Sequence, residues 1–170
     1  NEPAVMDVPG KTFPMDVRHD YDGHPCSHRK AHNIYGTQMA RATYDGVKRF
    51  AYPKRPFIIT RSAYSGSQRY TSSWTGDNVA SWEHLWIANI QMQRMSISGM
   101  GFTGSDIGGF AEQPSGELYA RWIQLGVFHP FCRTHSSGDH GDQEPWSFGK
   151  EVIDITRKFV NLRYQLLPYL

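Results

Sequence analysis

Four ionisable side chains occupy similar places in this 170-residue chain. Arg61 stands directly behind the apolar run Pro56-Phe57-Ile58-Ile59-Thr60, and Asp77 ends the string "RYTSSWTGD". Asp106 lies inside "GFTGSDIGGF", and His135 closes "VFHPFCRTH" with Arg133 two residues before it. A positioned carboxyl group can exchange a proton with a reacting oxygen, and arginine, aspartate and histidine can together hold a polyhydroxylated ligand. Aromatic residues are plentiful, and those that flank polar residues can supply flat apolar faces on which the C–H groups of a sugar ring pack.

Each residue also has an ordinary reading. Arg61 could be a surface loop residue, and Asp77 a carboxylate at the positive end of the next helix. Asp106 could close an Asx turn among its glycines, and His135 could be a plain loop histidine. What sets the four apart is that each follows a segment that reads as a strand.

Those segments alternate with helices. Residues 1–26, broken by Pro3, Pro9, Gly10, Pro14, Gly23 and Pro25, read as one long loop, and residues 27–170 as alternating helices and strands. Ser27 is placed to cap a helix reaching Phe50, with Tyr35, Met39 and Val47 on one side. Strands are predicted over 56–60, over about 70–75, in the glycine-rich segment ending near Asp106, and in the segment ending at Arg133 and His135. Asn78 is placed to cap a helix with the stripe Trp82, Leu85, Trp86 and Ile90. Ser115 is placed to cap another, with Leu118, Trp122 and Leu125 on one face and Glu117 in its first turn. Val152, Ile155, Phe159, Leu162 and Leu166 mark the last helix. Short apolar strands alternating with amphipathic helices imply an α/β fold with a parallel sheet, either doubly wound or barrel-like. In the barrel case the C-terminal strand ends converge on one face, where the four ionisable groups would meet.

Composition excludes some roles. A net charge of +2 with only short basic clusters argues against a nucleic-acid partner. No apolar run approaches the 18 or so residues that span a membrane. Cys26 and Cys132 can form one disulfide or none, so the compartment stays unknown. Two ligand-rich stretches invite a metal: His24, Cys26, His28 and His32, and the loop His135, Asp139, His140, Asp142, Glu144. Neither matches a standard zinc or calcium spacing, so no metal is assigned.

The strings "RSAYSGSQRYTSSWTGDN", "GFTGSDIGGF" and "RWIQLGVFHPFCRTH", with the opening "NEP", resemble glycoside hydrolase family 31, the α-glucosidase and α-xylosidase family. The resemblance runs over nearly the whole chain. It implies a (β/α)8 TIM barrel, of which residues 1–170 would be the second half, about strands 5 to 8 with their helices. It implies a retaining glycosidase with Asp77 as the acid/base. Arg61, Trp74, Asp106, Phe110, Arg133 and His135 would contact the substrate. The family nucleophile belongs to a motif that continues into Asn1-Glu2-Pro3 and would lie two residues before Asn1. This chain alone is therefore expected to be inactive and to lack a closed barrel, its partner being the remainder of the same enzyme. The expected substrate is an oligosaccharide or other α-glycoside, and the chemistry needs no cofactor. An exo-acting α-glucosidase is the leading expectation. An α-xylosidase, a non-catalytic carbohydrate-binding fragment and a metal-binding module are the alternatives.

Overall fold

The computed structural model describes residues 4–170; Asn1-Glu2-Pro3, where the nucleophile motif would end, lie outside the described residues. The chain forms two compact units, Asn1–Ser73 and Trp74–Leu170.

In the first unit, the stretch expected as loop contains an antiparallel pair, β1 (Arg18–His19) with β2 (Cys26–Ser27). Helix α1 (His28–Phe50) begins where predicted. Ser27 holds the N-cap position, yet its side chain makes no capping hydrogen bond. The buried face is His28, Ala31, Gly36 and Ala40, not the expected Tyr35, Met39 and Val47; Met39 is exposed. Close packing explains the difference. A Cβ on Gly36 would collide with Ser62, so the helix packs closely there and no side chain fits at that position. His28 is fully buried among the rings of Phe13, His19, His32 and Tyr35. Its Nε2 hydrogen-bonds Thr12 Oγ1 at 2.9 Å and its Nδ1 hydrogen-bonds His19 Nε2 at 2.9 Å. Both ring nitrogens are thus occupied.

Strand β3 (Ile59–Thr60) pairs in parallel with β4 (Ser72–Trp74) through Ile59 with Ser72 and Thr60 with Ser73. The expected strand over 56–60 is real but reduced to its last two residues. The connection is short and tied down. Ser67 Oγ accepts from the Tyr64 N–H at 2.9 Å and bonds Thr37 Oγ1 on α1 at 2.6 Å.

The second unit holds α2 (Trp82–Ile97), β5 (Thr103–Gly104), β6 (Asp106–Ile107), α3 (Gly116–Gly126), β7 (Arg133–Thr134) and α4 (Lys150–Leu166). Helix α2 is capped by Ser81, whose side chain accepts from the His84 N–H at 3.1 Å; Asn78, the expected cap, is buried in the preceding turn. The inward face of α2 is Leu85, Ala88 and Met92, while Trp82 and Trp86 are 53% and 65% exposed. The small Ala88 lets the helix approach a core built around Ile107, Leu118, Tyr119, Trp122, Ile123, Val127 and Val152. Helix α3 matches expectation except that Leu125 is only half-buried, while Tyr119 and Ile123 join the buried face. Ser115 Oγ accepts from the Leu118 N–H at 3.2 Å, Glu117 lies in the first turn, and Leu118 and Trp122 are buried. The Trp122 indole donates to Ser105 Oγ at 3.0 Å, and Arg163 of α4 donates to the carbonyls of Val127, His129 and Pro130.

Strands β6 and β7 pair in parallel, Asp106 with Arg133 and Ile107 with Thr134. Asp106 therefore follows β5, as expected, and also opens the next strand. Among the described residues the parallel pairs β3–β4 and β6–β7 do not close a barrel. Both cysteines are free thiols. Among the described residues no helix is long and apolar enough to cross a membrane.

β6 ends because Gly108 and Gly109 take φ of 90° and 95°. A Cβ on Gly109 would also lie 2.5 Å from the Ala80 backbone nitrogen. Gly109→Ala is therefore expected to cost about 1–3 kcal/mol in backbone strain before any clash is counted. A urea titration of the full-length protein checks this; an unchanged midpoint would contradict it.

Candidate active site

The turn carrying Asp77 is built from its neighbours. Trp74 is the last residue of β4, and the next N–H, of Thr75, donates to the Gly104 carbonyl at 3.1 Å. Gly76 reverses the chain at φ 83°, and the Asn78 N–H closes the turn on the Gly76 carbonyl at 3.0 Å. Thr75 Oγ1–H donates to Asn78 Oδ1 at 2.6 Å. The Asn78 carbonyl accepts from the N–H groups of Phe110 at 2.6 Å and Ala111 at 3.0 Å. Asn78 is thus buried and spent on both sides, while Asp77, one residue earlier, remains exposed. The arrangement aims a carboxylate at solvent from a turn whose backbone is anchored to two other segments.

Asp106 has the opposite environment. It is completely buried, and its Oδ1 accepts from Arg133 Nη2 at 3.1 Å. The Arg133 guanidinium in turn lies over the rings of Trp74 and Phe131, each at 5.3 Å. Burial pushes the Asp106 pKa up to about 6, against the pull of Arg133 in the other direction; the negative charge of Asp77 adds to the rise. The Trp74 indole favours the carboxylate slightly, though neither Trp74 Nε1 nor Asp106 Oδ2 reaches full hydrogen-bond geometry, and both stay without a partner.

His135 follows β7 and packs on Phe110, with ring centroids 5.2 Å apart and planes tilted by 33°. Partial burial and then Arg133 lower its pKa, with Asp77 opposing. A neutral imidazole can donate one hydrogen bond and accept another. The Phe110 carbonyl accepts from the Ser137 N–H at 2.9 Å and lies 3.1 Å from His140 Nε2. Gln143 Nε2 donates to the Gly109 carbonyl at 2.9 Å. The loop His135, Asp139, His140, Asp142, Glu144 thus spends His140 on scaffolding. Among the described residues no group of three or more His, Cys, Asp or Glu side chains could hold a metal ion.

The second unit therefore links Trp74, Asp77, Asp106, Arg133 and His135 by ring contact, ion pairing or direct electrostatic influence, and attaches Phe110 through His135. Arg61 belongs to the first unit. It is exposed, directly after β3, and lines a groove with Lys11, Thr12, His32, Asn33 and Tyr64. Asn78, His140 and Gln143 hold the turns in place, a role that sequence reasoning missed. The available signal was polar side chains beside glycines, but nothing in their spacing says which carbonyl each one meets.

Asp106 makes a testable link to pH. Its folded pKa of about 6 exceeds the ordinary 3.8, so the native state holds a proton that the unfolded state has released. Stability from this group is full below pH 3.8 and is lost as pH rises through about 6. The loss amounts to about 3 kcal/mol. Denaturation midpoints of wild type and Asp106→Asn, measured from pH 4 to 7, should show this segment of the pH dependence only in the wild type. Parallel curves would contradict the assignment.

Comparison with known proteins places this geometry. The family described as "Glycosyl hydrolases family 31 TIM-barrel domain" matches residues 1–170. The chain is 46% identical over 170 residues to Alpha-glucosidase 2 of Bacillus thermoamyloliquefaciens, covering 100% of this chain and 22% of that protein. It is 45% identical over 172 residues to Glucosidase 2 subunit alpha of Saccharomyces cerevisiae, covering 100% and 18%. A crystal structure of a family 31 alpha-glucosidase from Bacteroides thetaiotaomicron superposes with a TM-score of 0.86 at 40% identity, covering 99% of this chain and 26% of that one. The chain thus spans about a fifth of the length of the curated relatives it matches. With the family matched from end to end and relatives above 40% identity, the chain belongs to the glycosyl hydrolase family 31 TIM-barrel domains.

Proposed function

We propose that the protein carrying this chain is a retaining, exo-acting α-glucosidase with Asp77 as its acid/base. The observation that carries the reading is the turn Trp74-Thr75-Gly76-Asp77-Asn78. It leaves one carboxylate exposed while its neighbours are pinned, within electrostatic reach of Asp106 and His135. The relatives named alpha-glucosidase support the substrate class.

In this mechanism the Asp77 carboxyl group donates its proton to the glycosidic oxygen as the bond from that oxygen to the anomeric carbon breaks. A second carboxylate, supplied by polypeptide upstream of Asn1, attacks the same carbon. Retaining enzymes hold the two groups about 5–5.5 Å apart. The Asp77 carboxylate then takes a proton from water, which displaces the nucleophile and releases the sugar with its configuration retained. Trp74 and Phe110 wall the sugar ring, and the neutral His135 serves a hydroxyl as donor or acceptor. Arg133 donates to a further hydroxyl. No step draws on a cofactor.

Asp77→Asn in the full-length enzyme keeps the shape but can neither give nor take the proton. Turnover of an unactivated α-linked disaccharide should fall by about 10² to 10⁴-fold. The first step on an aryl α-glucoside with a good leaving group should fall much less. A mutant that turns over the disaccharide at near wild-type rate would remove Asp77 from the role.

A further inference from the structure

Asp106 is matched by resemblance to a substrate contact, yet it has no exposed surface. One of its oxygens is already occupied by Arg133, and the other is buried without a partner. The residue that emerges from this arrangement is Arg133. It is 27% exposed and sandwiched by its contacts with the Trp74 and Phe131 rings. Resting on the reading of Asp77 as the acid/base, we propose that Asp106 is a positioning residue. Its buried carboxylate fixes the Arg133 guanidinium against Trp74, so that Arg133, not Asp106, meets the sugar.

Three physical points lead there. A guanidinium has a long, flexible stem, and stacking alone leaves it free to slide; an ionic hydrogen bond to one nitrogen fixes both its direction and its depth. The partner strands place the two residues in register, Asp106 opposite Arg133, so the pair is set by backbone pairing and not by chance approach of side chains. Burying an ionised carboxylate is costly and persists where the charge has a partner.

The charged groups that face Asp106 are Arg133 from β7 and Asp77 from the turn after β4, with the Trp74 indole as a neutral donor. Helix α3, packed on β6, brings Tyr119, whose phenol is pushed up to about 12 by burial and stays neutral. As Asp106 takes a proton near pH 6 the ionic hold on Arg133 weakens, so activity should fall on the acid side of that value.

The test uses the full-length enzyme, an aryl α-glucoside, and the variants Asp106→Asn, Arg133→Met and the double variant. Each single change should lower kcat/KM by about 10 to 100-fold, the scale of a misplaced group. The double variant should be no worse than Arg133→Met, because Asp106 acts only through that side chain. The acid limb of the kcat/KM profile should flatten in Asp106→Asn. In Arg133→Met it should flatten likewise, because the side chain through which Asp106 acts is gone. Losses that multiply in the double variant, or an acid limb unmoved by both changes, would overturn the proposal. If thermal melting shows that Asp106→Asn does not fold, the acid limb of Arg133→Met decides alone: a flattened limb supports the hold, and an unmoved or merely shifted limb sinks it. Failure of the acid/base reading looks different, since it appears as retained turnover in Asp77→Asn with Asp106 and Arg133 untouched.

Discussion

The candidate site depends on one buried ion pair. Asp106 and Arg133 face each other across the parallel pair β6–β7, and their hydrogen bond of 3.1 Å joins two segments 27 residues apart in sequence. Remove Arg133 and the fully buried Asp106 loses its cation; remove Asp106 and the part-exposed Arg133 keeps only its ring contacts. The pair also organises its surroundings. Arg133 carries the positive charge that holds the Trp74 face and depresses the pKa of His135, while Asp106 receives the residual negative field of Asp77. Three of the ionisable groups beside the Asp77 turn are therefore coupled, and a change at one is felt at the others.

Backbone geometry sets the distances over which that coupling works. The glycines at 108 and 109 end β6 after two residues and let the chain pass against Ala80. The Asn78 carbonyl then collects the Phe110 and Ala111 N–H groups, tying the turn of Asp77 to the turn after β6. Phe110 continues outward to His135 and His140. Behind this layer the apolar core of α3, with Trp122 and Tyr119 fully buried, gives the turns a rigid floor. Rigidity matters because hydrogen bonds to a sugar discriminate only when the donors cannot follow a wrong ligand.

The first unit is organised by different means. Its packing runs through small residues on α1 and through the fully buried His28, whose two ring nitrogens are both engaged. Burial and the neighbouring imidazoles of His19 and His32 lower the His28 pKa, so the ring remains neutral and its hydrogen bonds keep their donor and acceptor sense. Of the ligand-rich set His24, Cys26, His28 and His32, His28 and His32 thus belong to a packed aromatic and imidazole cluster, while His24 is exposed.

Sequence alone singled out the residues proposed to carry the chemistry. The order of helices, the Ser115 cap and the resemblance carried by "WTGDN", "GSDIGGF" and "FHPFCRTH" follow from local propensity and from motifs whose members are close along the chain. The same locality explains the errors. The strands came out longer than their paired parts, because apolar runs mark burial and not hydrogen bonding. Asn78 was read as a cap although its real task is to receive two N–H groups from residues 32 and 33 positions away. The stripe Trp82, Leu85, Trp86 and Ile90 fits helical spacing, yet only packing could show that Ala88 and Met92 face inward and the two tryptophans outward. Tertiary structure alone decided that Asp106 is sealed off while Asp77 is open. Both are aspartates beside glycines, and their difference arises from parallel strand register and the approach of Arg133, long-range facts that no local spacing contains.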